Sequence, residues 1–421
     1  MARFDSLDSW LDWQEQFHPR PIDLGLERVA GVYQRLDSSR IKIPTITVAG
    51  TNGKGSCIAY LEAIYRAQGY RVGAYTSPHI VKYNERIRID GEPAADAEIC
   101  EAFGRIDEVR GDTSLSYFEF GTLAALDIFA RAELDIQLLE VGLGGRLDAV
   151  NLIDPDVALV TTIALDHVDW LGDSVEQIAR EKAGIFRHDV PAIIGDDRAP
   201  AALADTAREK GARVFGIERE FGYRKLESFW QWFRDNVVLD QLPAPAFKGE
   251  HQYRNASAVI MAVKTLKHRL PVGEAAIRRG LREAQLRGRF QLIEGEVPIL
   301  LDVGHNPQAV ETLLAYLRSD FADVKIRAVF AMMRDKDIAG VIDLMHERVA
   351  DWYLAPLNNP RAATPEAVRD FFQLQGIENV HGGFDDFEAA FRAARRDASA
   401  NELILIFGSF FLVSEYLTHF A

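Results

Sequence analysis

The sequence predicts an α/β protein in two parts. A P-loop-type domain with a mostly parallel sheet comes first, and a smaller Rossmann-like α/β domain follows. Three observations predict this. A β-rich run, Ile46-Thr47-Val48, turns through Gly50, Asn52 and Gly53 into a helical pattern with apolar residues at Ile58, Leu61, Ile64 and Tyr65. Apolar strand-like runs then alternate with helical stretches through the first half. A fresh alternation begins after residues 285–298, a stretch rich in Arg, Gly and Glu. The expected boundaries are 1–286, a linker at 287–298, and 299–421.

Taken in order, helices are expected over 7–17 and 26–36. The first is ended by His18-Pro19-Arg20-Pro21, and Ile22-Asp23-Leu24-Gly25 connects the two. After the glycine turn and its helix, 71–75 is a short β run. Pro78 and Gly91 bracket a loop and a short strand that contain Tyr83-Asn84-Glu85-Arg86. Helix is expected over 96–110, and Ser116-Tyr117-Phe118-Glu119-Phe120 leads into an apolar helix ending at Arg131. The run 136–141 reads as a buried strand and ends in Gly142-Leu143-Gly144-Gly145-Arg146-Leu147-Asp148. Another strand, 157–165, ends at Asp166-His167. Ser174 and Gln177 have capping-box spacing at the head of a helix that carries Lys182. The period is lost over 211–250, where Trp230, Trp232 and Phe233 sit among charges, so a small β-rich excursion is expected. Asn255 opens a helix of small residues. In the second series, strands are expected over 299–303, 327–332, 352–354 and 402–407. No GxGxxG follows the first of them, so no dinucleotide is assigned there.

The bulk composition narrows the function classes. Of 421 residues, 48% are hydrophobic and 26% charged, as in folded proteins that bury a sizeable core. The net charge of −15 argues against general nucleic-acid binding, which needs basic surface. Cys57 and Cys100 make no disulfide framework, which suits a reducing compartment. The start of the chain has early acids and no long apolar core, so no secretory signal is expected. No apolar run approaches the roughly 18 residues of a membrane span. A cytoplasmic protein without membrane or nucleic-acid partners is expected.

Glycines let backbone N–H groups converge on phosphate oxygens, and a helix N-terminus adds partial positive charge. Lys54 brings a full charge, and Thr51 or Ser56 a hydroxyl. Nucleotide binding is therefore favoured over a plain glycine turn. In open α/β sheets, ligands gather at the carboxyl ends of strands. Ser77, Glu140 and His167 all fall at such ends. Glu140 closes an apolar strand, where a carboxylate is costly without a partner; a metal beside the phosphates would explain it, and taken alone a strand-end glutamate turned to solvent would explain it equally well. Mg²⁺ prefers oxygen, so His167 alone reads as a hydrogen-bonded histidine. Lys182 alone reads as an ordinary helix lysine. Asp302 and His305 flank Gly304 at a strand end, a loop position suited to polar contacts.

Together these runs resemble the folylpolyglutamate synthase/dihydrofolate synthase family of Mur-type ATP-dependent amide ligases. The matching runs are VAGTNGKGS (48–56), TSPHIVKYNERIRI (76–89), LLEVGLGGRLDAVN (138–151), TTIALDHVDWLG (161–172), EKAGIF (181–186), GRFQ (288–291), LDVGHNP (301–307), MMRDKDI (332–338) and FGSFFLV (407–413). IDLGLERV (22–29) and SYFEFGTL (116–123) look like the bacterial bifunctional subgroup. The resemblance implies roles. Gly53, Lys54, Gly55 and Ser56 match the ATP phosphate loop, and Asn255, Arg289 and Asp302 match adenosine-side contacts. Ser77, Glu140 and His167 match the Mg²⁺ ligands. Lys182 matches a lysine carboxylated to a carbamate. Ile22, Asp23, Leu24, Ser116, Tyr117, Phe118, Glu119, Leu147, Asp148 and Ala149 match the pterin pocket. Arg86, His305 and Ser409 look like the glutamate site, with Lys182, His305 and Lys54 as the catalytic set. Gly304 stands where the family usually has Ala, and Phe410-Phe411 falls in a variable segment.

The implied activity is ATP-dependent ligation of L-glutamate to dihydropteroate and to reduced folates through an acyl phosphate, in folate biosynthesis. ATP and Mg²⁺ at two sites are the implied cofactors, with a monovalent cation such as K⁺ as a further candidate. The implied partners are these small molecules, and the implied state is a monomer. A ligase joining amino acids to a nucleotide-linked sugar is the nearest rival, and IDLGLERV and GGRLDA argue against it. A regulatory nucleotide switch needs neither Lys182 nor the Asp302–His305 cluster.

Overall fold

The computed structural model describes residues 3–20 and 22–420. Pro21, expected to help end the first helix, lies outside the described residues, as do the first two residues of the chain. The chain divides into two compact units. The first holds the residues up to Ala164, then Leu171–Ala246 and Tyr253–Gln285.

Among its described residues, eight strands form one sheet. They are β1 (Thr45–Ala49), β2 (Val72–Tyr75), β3 (Ile87–Ile89), β4 (Glu92–Pro93), β5 (Ile136–Glu140), β6 (Val157–Val160), β7 (Pro191–Ile194) and β8 (Arg213–Gly216). Their order is β4-β3-β2-β5-β1-β6-β7-β8. Pairing is parallel from β2 to β8 and antiparallel at β2–β3 and β3–β4. β1, β2, β5, β6 and β7 are buried at every residue, so they read as largely apolar runs in which Thr45, Thr47, Gln137 and Glu140 are buried polar members. The register places Val48 beside Glu140, Tyr75 beside Leu139 and Ala49 beside Val160. The carboxyl ends of β1, β2, β5 and β6 are therefore level, and their loops emerge along one edge.

The helices are set by caps and by core contacts. Ser6 caps Leu7–Phe17 through Ser9 N at 3.3 Å. Trp10 of this helix is fully buried, and its ring lies 5.8 Å from that of Phe103. Ser116 and Glu119 form a reciprocal capping box at the head of Tyr117–Arg131. The stretch that loses its period is a three-stranded antiparallel sheet, β9 (Gly222–Lys225), β10 (Trp230–Arg234) and β11 (Val237–Leu242). Trp230 and Trp232 of β10 are buried, and their indole N–H groups donate to Pro243 O at 2.6 Å and Ser257 O at 3.1 Å.

The second unit holds Leu165–Trp170, Phe247–Gln252 and the chain from Leu286 onward. Among its described residues, six strands form a sheet in the order β12-β13-β17-β14-β15-β16. They are β12 (Gln291–Ile293), β13 (Ile299–Asp302), β14 (Lys325–Phe330), β15 (Val349–Leu354), β16 (Val380–His381) and β17 (Glu402–Phe407). Only β12–β13 among these pairs is antiparallel. The core is aromatic and aliphatic: Leu313, Leu317, Ile326, Phe330, Trp352, Phe372 and Leu405 are buried together.

The structure corrects several boundaries. The stretch read as a linker contains β12. The second helix is Glu27–Tyr33, followed by the short 3₁₀ helix Asp37–Arg40. The strand expected to reach residue 165 stops at Val160, because Thr161 and Thr162 turn to bond the glycine loop. The helix expected to open at Asn255 begins at His251. Ser174 accepts from Gln177 N, but the Gln177 side chain takes Asp173 N at 2.9 Å rather than closing the box on Ser174. Among the described residues, no helix is long and apolar enough to cross a membrane.

Candidate active site

In the first unit the glycine loop follows β1. Gly50 has φ 146°, and a Cβ there would stand 1.8 Å from Thr161 Oγ1, so no larger residue fits. Gly53 has φ 90° and precedes the helix Lys54–Gln68. A Cβ at Gly53 would lie 3.0 Å from Asn255 Oδ1, so the loop and Asn255 are neighbours. The segment after β6 pins the loop. Thr51 N donates to Thr162 O at 2.7 Å, Ala164 N to Thr51 Oγ1 at 3.0 Å, and Thr161 Oγ1 to Asn52 O at 2.6 Å. The first N–H groups of the helix after Gly53 are therefore held in place as an anion cradle.

Two lysines converge here. Lys54 Nζ donates to Gly50 O at 3.0 Å and to Thr51 O at 3.2 Å. Lys182 Nζ, buried at the end of Val175–Lys182, donates to the same Gly50 O at 3.0 Å. Sequence spacing gave no hint of this meeting. Glu140 ends β5 beside the loop, and its carboxylate accepts from Ser77 N at 3.3 Å. Ser77 follows β2 and joins Pro78 through a cis peptide. Ser77 and Glu140 thus stand together, as their positions at strand ends predict. They supply oxygen donors at the rim of a phosphate cradle, the kind Mg²⁺ takes.

The expected pterin residues also come together. Asp23, on the connector, binds Arg28 Nη1 at 2.6 Å and His18 Nε2 at 3.0 Å. Arg28 reaches on to Glu119 Oε1 at 2.8 Å, and Glu119 Oε2 accepts from Ser116 N at 2.7 Å. Gly25 N donates to Leu147 O at 3.3 Å. Segments 22–25, 116–119 and 142–149 are therefore one cluster. Burial would lower the Arg28 pKa, but its bonds to Glu119 and Asp23 raise it overall. His18 and Arg28 were not singled out from the sequence. The signal was present as i, i+5 partners of Asp23 on either side. Ile22 and Leu24 are half-buried in the same connector, and Tyr117 and Phe118 are half-buried at the head of their helix. Phe118 lies under the loop after β5, with its Cζ 2.6 Å from where a Gly142 Cβ would stand.

Asp148 and Ala149 are buried. The two oxygens of Asp148 accept from Leu143 N at 2.8 Å and Val150 N at 2.9 Å, so the side chain braces its own loop. Burial raises its pKa to about 6 against the pull of those amides. Arg86, also buried, donates from Nε to His79 Nδ1 at 2.8 Å.

In the second unit, β13 ends at Asp302, whose register partner is Phe407 at the end of β17. Asp302, Gly304, His305 and Ser409 therefore leave adjacent parallel strand ends. Asp302 accepts from Gly304 N at 2.8 Å and Phe290 N at 3.3 Å, and burial raises its pKa to about 6 against the pull of Arg289. Arg289 lies 5.0 Å over the ring of Phe410, and the His305 ring is 5.9 Å from the same ring. Phe410, which the sequence offered no reason to choose, thus neighbours both side chains. His305 Nδ1 faces Val303 O at 2.8 Å, so Nδ1 carries the proton, and Nε2 lies 3.8 Å from Asp166 Oδ2. Burial lowers the His305 pKa to about 4, with Lys336 adding to the effect. Ser409 Oγ accepts from Phe411 N at 3.1 Å.

His167 has φ 52° and belongs by contacts to this unit. Its neighbour Asp166 binds Lys336 Nζ at 2.6 Å and Asn306 Nδ2 at 3.3 Å. Burial opposes ionisation of Asp166, but His167, Lys336 and His305 outweigh it and hold its pKa well below the usual carboxylate range. Lys336 and Asp166 were not chosen from the sequence.

A glycine loop with converging lysines and a Ser77–Glu140 pair, on a parallel sheet followed in the chain by a second α/β unit, is the arrangement expected of a Mur-type ATP-dependent ligase. Residues 48–263 match the model of the Mur ligase middle domain, and residues 288–410 match that of the Mur ligase glutamate ligase domain. The dihydrofolate synthase/folylpolyglutamate synthase of Escherichia coli is 44% identical over 98% of this chain and 94% of its own length. That of Haemophilus influenzae is 37% identical over 97% of this chain and 96% of its own. The structure of E. coli FolC in complex with DHPP and ADP matches with a TM-score of 0.93 at 43% identity, covering 98% of this chain and 97% of that one. A bifunctional folylpolyglutamate synthase/dihydrofolate synthase with Mn, AMPPNP and L-glutamate bound matches with a TM-score of 0.90 at 42% identity, covering 98% of each chain. The chain belongs to the dihydrofolate synthase/folylpolyglutamate synthase family of Mur ligases.

Proposed function

We propose that the chain joins L-glutamate to dihydropteroate and to reduced folates, with ATP cleaved to ADP and phosphate. A carboxylate oxygen of the acceptor attacks the γ-phosphorus, and the bond to the β,γ-bridging oxygen breaks. The glutamate amine then attacks the acyl carbonyl, loses a proton, and expels phosphate to leave an amide. The carrying observation is the cradle at Gly50–Ser56, braced by Thr161 and Thr162 and facing the Ser77–Glu140 pair.

Lys54 is proposed to follow the charge on the transferred phosphoryl oxygens, with Gly53, Gly55 and Ser56 around the phosphates. Mg²⁺, held by Ser77 and Glu140 with His167 as a further ligand, would offset phosphate charge when bound. Among the described residues no three His, Cys, Asp or Glu side chains form a ready cage. A cation carried mainly by phosphates and one carboxylate fits that better than an all-protein site. A second Mg²⁺ and a monovalent cation such as K⁺ are part of the same proposal.

Lys182 is proposed to be carboxylated: its amine adds to CO₂ and releases a proton. Two ammonium groups on the one Gly50 carbonyl repel, and a carbamate replaces repulsion by attraction toward Lys54. Asn255, Arg289 and Asp302 are proposed for the adenosine, with Asp302 on ribose hydroxyls. The cluster tied by Arg28 is proposed to hold the pterin, with Phe118 as a stacking face and Asp148 as the brace of the loop. Arg86, His305 and Ser409 are proposed for glutamate.

The test is isotopic. With dihydropteroate labelled by ¹⁸O in its carboxylate, one label should appear in the released phosphate. Release of unlabelled phosphate alongside product would exclude the acyl phosphate.

A further inference from the structure

Arg86 is an unusual arginine for its surroundings. It is only 9% exposed, yet among the described residues no carboxylate pairs with it, and its hydrogen-bond partner is a histidine. A buried guanidinium without a counter-charge is costly unless a ligand brings one. Two rings wall it in, Tyr83 and Tyr117, each 5.4 Å from its Cζ. Such faces favour a cation and leave its outer edge as the way in for an anion.

The histidine is held in place with some force. His79 packs edge-on against Tyr83, with ring centroids 5.8 Å apart. The loop that follows it is clamped by one carboxylate: Glu85 accepts from Ile80 N at 2.7 Å, Val81 N at 3.0 Å and Lys82 N at 2.9 Å. Arg86 O accepts from Thr76 N at 2.9 Å, which ties the arginine's own backbone to the same turn. Arg86 Nε–H can only donate, so His79 Nδ1 is the acceptor and Nε2 carries the ring proton. With Nε engaged, the Nη1–Nη2 edge is the one left for an end-on pair of bonds to a carboxylate.

We propose that His79 is a positioning residue that fixes the rotation of the Arg86 guanidinium, so that its Nη1–Nη2 edge is presented to the glutamate carboxylate. This rests on the reading of Arg86 as a glutamate contact. Losing one charge-assisted bond from a rotatable side chain should weaken glutamate about tenfold. An acceptor at the Nδ1 position should be enough. Asn places its Oδ1 near Nδ1, whereas Gln places its Oε1 near Nε2.

The experiment is steady-state kinetics with dihydropteroate saturating. His79→Leu and His79→Gln should raise the glutamate KM about tenfold, leave kcat within about twofold and leave the ATP KM unchanged, while His79→Asn stays near the parent. Arg86→Ala should raise the same KM further. Equal glutamate KM values for the Asn and Gln variants would overturn the positioning role even if His79→Leu does not fold. If Arg86→Ala leaves the glutamate KM unaltered, the reading of Arg86 itself fails. If Arg86→Ala raises it and His79→Gln does not, only the role of His79 fails.

Discussion

Two lysine ammonium groups share the carbonyl oxygen of Gly50, and the proposed carboxylation of Lys182 can be tested there. Lys182→Ala should abolish ligation, and a small carboxylate such as formate or acetate in the assay should restore part of it. Absence of rescue, with no added mass of CO₂ on the native protein, would argue against the carbamate. Asp148 and Asp302 make a second residue-scale prediction. Burial raises both to about 6 from an ordinary 3.8. Between those values the folded state binds protons that the unfolded state has released. Their contribution to stability is therefore complete below about pH 4 and lost as pH rises through about 6. Relative to Asp302→Asn, the parent should lose stability from pH 4 to 6 and then level off. Urea unfolding across that range measures it, and a flat difference would contradict the burial argument. Lys182, Glu140 and Asp302 were legible in the sequence because each polar group stood at the end of an apolar run or in a matching motif. Asp166, Lys336 and Phe410 were not, because their partners lie far along the chain.

At the scale of elements, the loop after β6 does as much for the cradle as the glycine loop does. Gly50→Ala would drive a Cβ into Thr161, at a φ that disfavours side chains. It should cost about 1–3 kcal/mol of stability, with nucleotide affinity falling more steeply than the affinity for dihydropteroate. Calorimetric titration of both ligands distinguishes local damage from general unfolding. Arg28→Ala should have the opposite preference. It unties segment 22–25 from Glu119, should cost about 2 kcal/mol, and should weaken dihydropteroate more than ATP. The buried parallel strands were readable because short, mostly apolar runs bounded by turn residues have few other uses. The start of the helix His251–Thr265 and the end of β6 at Val160 were not. At Val160 the bonds of Thr161 and Thr162 to the glycine loop, rather than local preference, decide where the strand stops.

For the molecule as a whole, two successive, mostly parallel α/β sheets were evident from the alternation of elements, while their strand orders were not. The allocation of Leu165–Trp170 and Phe247–Gln252 to the second unit was not, because a contact between distant segments leaves no period in either one. Family membership fixes the class of reaction, and the residue roles proposed above can be tested one residue at a time. The central claim is that one cradle activates an acid so that an amine can capture it. The most direct measurement is ADP release by the purified protein with ATP, Mg²⁺, dihydropteroate and L-glutamate, omitting each in turn. Sustained release that needs both dihydropteroate and glutamate, and equals the dihydrofolate formed, is the predicted result. Release at the same rate without either acceptor, or none with the complete mixture, would contradict it.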